Sequence, residues 1–198
     1  MPETDTPVAS ITYKLLQSGR MRIEAEGTEP QEIEKIARLA TSTAAPFPVT
    51  RLVSISVSLP DPLLRTLVHE INVAYSLQLF TSTWVCLRKL FENLIIELLR
   101  RRFGTSDVSL YYWTGHHRFH DFSVLIVNLE SKANDFRTYT SGFNQGFFDF
   151  LKKFKRRANT NAHSIDVLQD SKRIDDIKDT VNNCIDLLHT VIGRIQST

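Results

Sequence analysis

The spacing of apolar residues changes near residue 60: before it they tend to alternate with polar ones, and after it they recur every three or four positions. Ile11-Thr12-Tyr13-Lys14-Leu15-Leu16 predicts a strand, Gln17-Ser18-Gly19-Arg20 a turn, and Met21-Arg22-Ile23-Glu24-Ala25-Glu26 a second strand, so the two form a hairpin. Thr28 is placed to cap a short helix with Pro30 and Gln31 in its first turn and Ile33, Ile36, Ala37 and Ala40 on its apolar side. Thr41 to Pro48 breaks the pattern and reads as a connector. Leu52-Val53-Ser54-Ile55-Ser56-Val57-Ser58-Leu59 alternates serine with apolar residues, the pattern of a third strand with one wet face. The expectation is a loose tail over residues 1–10 and a small α+β unit over 11–59 that buries little by itself and leans on the C-terminal domain.

Asp61-Pro62 supplies an N-cap and a first-turn proline, and the period then becomes helical. Leu63, Leu64, Leu67, Val68, Ile71, Ala74 and Tyr75 define a first long helix. Trp84, Leu87, Phe91, Leu94, Ile95, Leu98 and Leu99 define a second, closed by Arg100-Arg101-Arg102 in its last turn and a glycine stop at Gly104. Thr105 to His117 reads as a loop holding Tyr111-Tyr112-Trp113, followed by a third helix from Phe119 to about Phe136 and a fourth from near Phe143 to His163. Ile174, Ile177, Val181, Cys184, Leu188, Val191 and Ile195 mark a fifth without a break in the period. Residues 60–198 therefore predict a mainly α fold, an antiparallel helical bundle.

Composition narrows the class without naming a function. A chain of 198 residues suits one main domain with a small appendage, and 42% apolar with 23% charged residues is ordinary for a globular protein. The net charge of +2 does not announce a nucleic-acid binder, so any such role rests on local patches. Cys86 and Cys184 fall on apolar helix faces and are expected to be reduced core residues. Met-Pro-Glu-Thr-Asp-Thr carries no secretory signal and no run of about 18 apolar residues occurs after it, which gives the expectation of a cytoplasmic protein with no membrane span. There is no glycine-rich phosphate loop, no nucleophile elbow and no cysteine-based metal site, so no cofactor is expected.

Candidate chemistry concentrates in Phe150 to Ile165, where Lys152, Lys153, Lys155, Arg156 and Arg157 precede Asn159, Asn161 and His163. On a helix, residues three, four and seven apart share a face, so Arg156, Asn159 and His163 align while Phe150, Leu151, Phe154 and Ala158 turn inward. The plain alternative is a solvated basic face with asparagine and histidine as bundle contacts. Lys152, Lys153 and Lys155 with Arg101 and Arg102 would form a phosphate-tracking groove if the two groups adjoin, with Tyr111, Tyr112 and Trp113 as stacking partners; a capped helix end and a core-filling aromatic plug is the competing reading. His116 and His120, four apart with Asp121 adjacent, have metal-ligand spacing but no further ligands nearby, so no metal site is assigned. Arg88 and Glu92 are spaced for an intrahelical ion pair that holds the second helix against a neighbour.

The run Arg156-Arg157-Ala158-Asn159-Thr160-Asn161-Ala162-His163-Ser164 resembles the signature of HEPN domains, an arginine and a histidine a few residues apart on an inner helix of a bundle. Leu87-Arg88-Lys89-Leu90-Phe91-Glu92-Asn93-Leu94 resembles the Arg-x-x-x-Glu helix of the same class, and the likeness spans roughly residues 61–196. The resemblance implies a homodimer with a metal-independent endoribonuclease site shared between subunits. In it His163 moves protons, Arg156 or Arg157 grips phosphate and Asn159 orients. Ala158 stands where active members commonly carry an acidic or polar residue, so the resemblance equally admits a non-catalytic module that binds RNA, nucleotide or a protein partner.

Overall fold

Among the described residues before 60, alternation yields a hairpin in the computed structural model of the chain. It describes the backbone of residues 11–15 and 21–25, then residues 49–54, 59, 61–163 and 172–196, with side chains excepted for 161–163, 172 and 196. Strands β1 (Ile11–Leu15) and β2 (Met21–Ala25) pair antiparallel in the register Ile11↔Ala25 to Leu15↔Met21, as the alternation predicts. The predicted tail, the helix after Thr28 and the connector to Pro48 lie outside the described residues. The chain divides into two compact units at Pro48/Val49.

The second unit is mainly α. Its helices are α1 (Pro62–Ser76), α2 (Phe80–Phe103), α3 (Phe122–Ser131), α4 (Gln145–His163), the single turn α5 (Lys172–Asp175) and α6 (Lys178–Gln196). The Asp61 side chain accepts from the Leu63 N–H at 2.7 Å with Pro62 at the first position, and Gly104 closes α2 at φ 55°, a left-handed value that favours glycine. The 24-residue α2 is the axis of the fold, with α1, α3, α4 and α6 all packed against it. Its residues Leu87, Leu90, Phe91, Leu94, Ile95, Leu98 and Leu99 are fully buried. Phe154 of α4 meets the rings of Trp84, Phe91, Phe122 and Phe150, joining three helices through one side chain. The contacts Phe91–Phe150 and Trp84–Phe154 fix α2 and α4 as antiparallel.

Three differences from the sequence reading have local causes. The described residues of the expected third strand, Leu52 to Ser54 and Leu59, form no strand, and Leu52, Val53 and Leu59 are buried in the core of the helical unit. Asn72 on α1 accepts from the Leu52 and Val53 N–H groups, both at 2.9 Å, and donates to the Val53 carbonyl. Asn182 on α6 accepts from the Ser54 N–H and donates to the Leu52 carbonyl. Two side-chain amides thus take the place of a neighbouring strand. The loop expected over Thr105 to His117 contains a short hairpin, β3 (Tyr112–Trp113) with β4 (Arg118–Phe119), turned at His117 with φ 50° and closed by Tyr112 edge-on to Phe119. The third helix consequently starts at Phe122 instead of Phe119, and its tail from Ala133 to Phe136 is a 3-10 turn.

Candidate functional site

The end of α4 that carries the basic run faces a cavity of about 510 Å³. Among the described residues it is lined by Trp84 of α2, by Lys153, Arg156, Arg157 and Thr160 of α4, by Arg173 of α5 and by Asp176 just after it. The α4 contributors are spaced at zero, three, four and seven, one stripe of the helix, while Leu151, Phe154 and Ala158 are buried on another. The turn at α5 is anchored by Ile174, 1% exposed, and by Tyr75 of α1, whose hydroxyl donates to Asp175. Burial and that carboxylate push the Tyr75 hydroxyl pKa up to about 12, so it remains a donor across the physiological range.

Lys153, Arg156 and Arg157 form no ion pair among the described residues, whereas other cations of the unit do. Like charges three and four apart on a helix repel. The indole Nε1 of Trp84, a residue only 1% exposed, is buried without a hydrogen-bond acceptor among the described residues, an omission that costs about 1–3 kcal/mol. A ligand with several acceptor oxygens and negative charge relieves the repulsion among the cations.

Comparison with family models, curated proteins and solved structures gives no match. The chemistry of the cavity is therefore read from its own residues.

The predicted residues are distributed unevenly around it. Arg156, Arg157 and Lys153 are brought together, and Trp84, Arg173 and Asp176 join them from distant stretches with no local sequence signal. Asn159 is instead held by Arg88, whose guanidinium donates to its Oδ1 at 2.5 Å and through Nε to Glu92 at 2.8 Å. The expected Arg88–Glu92 pair thus fastens α2 to α4. His163 is the last residue of α4, and its side chain lies outside the described residues. Lys152 pairs with Glu130 at 2.7 Å, and Lys155 is half-buried on α4 outside the cavity lining. Arg101 pairs with Glu97, and Arg102 donates to the Asp135 carbonyl while stacking over Phe103. Because α2 and α4 are antiparallel, Arg101 sits 17 positions along α2 from Trp84, about 25 Å at the helical rise, so it does not adjoin the cavity.

The remaining candidates are placed elsewhere. Tyr111 is buried and donates to the Gly104 carbonyl, as a core plug does. Trp113 is 44% exposed on the β3–β4 hairpin against His116, His120 and Arg118. His120 Nε2 lies 2.8 Å from the Ser109 carbonyl, and no group of three metal-ligating side chains occurs among the described residues. Both cysteines are free, and burial pushes the Cys184 thiol up to about 12 and raises that of Cys86, which makes neither a nucleophile near neutrality. No described helix is long and apolar enough to cross a membrane.

Proposed function

We propose that the helical unit is an HEPN-like RNA-binding module and a metal-independent endoribonuclease whose cavity grips a backbone phosphate. The supporting observation is the group of three cations on one stripe of α4, unpaired among the described residues, lining one cavity. Contact between Arg88, Glu92 and Asn159, residues of the two stretches that resemble HEPN proteins, supports the same reading.

In this reading the RNA 2′-oxygen attacks the adjacent phosphorus while the bond to the 5′-oxygen breaks, leaving a cyclic phosphate and a 5′-hydroxyl. One histidine takes the 2′-hydroxyl proton and a second donates to the departing oxygen. Each chain offers only His163 on this helix, so a homodimer with the two helix ends around one phosphate supplies both. Arg156 and Arg157 hold the non-bridging oxygens as charge builds there. Labelled RNA incubated with the protein and a chelator tests this: cleavage persists in chelator and disappears in His163→Ala with affinity kept. A monomer with no turnover in either protein removes the catalytic reading.

The engagement of Asn159 by Arg88 favours a second reading, a module that binds RNA or nucleotide without cleaving it. The same experiment then gives equal binding for wild type and His163→Ala and no product from either.

A further inference from the structure

Within the second, non-cleaving reading just proposed, the cavity's charge bears on which phosphate it takes. Even without Arg173, the three cations of α4 against the one carboxylate Asp176 leave a formal surplus of two positive charges among the described lining residues, whereas an internal phosphodiester carries a single negative charge. A phosphomonoester carries about −1.5 to −2 at pH 7 and three strong acceptor oxygens. Lys153, Arg156 and Arg157 offer several donors from one stripe of α4. We propose that the cavity selects a terminal phosphate, the phosphorylated end of an RNA strand or of a free nucleotide, over an internal phosphodiester.

Three features agree. The volume of about 510 Å³ falls in the range of roughly 300–1,000 Å³ usual for small-molecule sites, so a sugar can accompany the phosphate. Trp84 is only 1% exposed, so its ring is not open for a base to stack on. Recognition consequently runs through the phosphate with little preference among bases. Asp176 is the one carboxylate in the lining among the described residues; it repels additional phosphate oxygens on its side and can accept from a sugar hydroxyl.

The test uses the full chain and a 3′-fluorescein oligoribonucleotide with methylated 2′-oxygens, which blocks cleavage, bearing either a 5′-phosphate or a 5′-hydroxyl. Fluorescence anisotropy should give at least about tenfold tighter binding to the phosphorylated strand at pH 7.5. The preference should shrink at pH 5, where the phosphate loses its second charge near its pKa of about 6. The exposed Arg156→Gln and Arg157→Gln should each collapse the ratio below about threefold. Competition by adenosine diphosphate separates the sources: displacement assigns a free nucleotide, and resistance with persisting 5′-phosphate preference assigns a strand end. Equal affinity for the two ends, with binding still lost in Arg157→Gln, overturns this inference and leaves the RNA-binding reading intact. Absence of binding to either strand overturns both.

Discussion

At the scale of single residues, polar side chains in the interior show what a one-dimensional pattern omits. His189 occupies an apolar position of α6 and is only 8% exposed. Burial is the main cause that lowers its pKa below the usual value of about 6.5; Asp186 opposes the shift and Arg101 adds to it. Because the folded pKa is depressed, the unfolded chain binds the proton more readily, so the stability associated with neutral His189 is fully present above about pH 6.5 and is lost as pH falls through the folded pKa. The urea midpoint of wild type should therefore drop more between pH 8 and pH 5 than that of His189→Leu; parallel curves would show that the imidazole is not the titrating group. Asn159 makes the same point by geometry. Helical spacing aligned it with Arg156, yet the amide is drawn to Arg88 across the α2–α4 contact, a preference that only the packing of two distant segments decides.

Elements were legible in proportion to how much of their pattern is self-contained. The α6 period and the α2 core stripe needed no partner to be read, since apolar residues at three and four must face something. The serine-alternating stretch after Arg51 reads as a strand with one wet face, yet the neighbours Leu52 and Val53 are both buried with no strand formed, and the alternation carries no information on what satisfies the backbone. Asparagines 72 and 182 do so, and both look like isolated polar residues in helical sequence. Asn72→Ala leaves two N–H groups and a carbonyl without partners in the interior, and it should destabilise the protein by at least about 2 kcal/mol in urea unfolding. Asn182→Ala should cost less, because its Ser54 contact is exposed and water can replace it. Equal losses would mean that the strap is held by its leucine and valine alone. The same logic applies to α4: its basic stripe is visible in the sequence, but the cavity also needs Trp84 from α2 and Arg173 from α5, more than ten residues away in either direction.

For the whole molecule, a net charge of +2 conceals two cationic groups of the helical unit that differ in how they are neutralised. Around Glu97, Arg100 and Arg101 are neutralised, and Lys152 is paired with Glu130. Lys153, Arg156 and Arg157 are gathered on one cavity instead, about 25 Å along α2 from Arg101 by the helical rise. A protein that tracked a strand over both groups would neutralise many phosphates, and its affinity would fall steeply with salt. A single cavity takes one or two. Each phosphate neutralised on a single strand contributes about −0.7 to the slope of log affinity against log salt, so the slope for a short oligoribonucleotide should be about −0.7 to −1.4. Arg157→Gln should make it shallower by about 0.7. Arg101→Gln should change neither slope nor affinity, since that guanidinium is already paired and lies away from the ligand. A slope steeper than about −4 that relaxes in Arg101→Gln would place the strand along α2 and dissolve the distinction between the two groups.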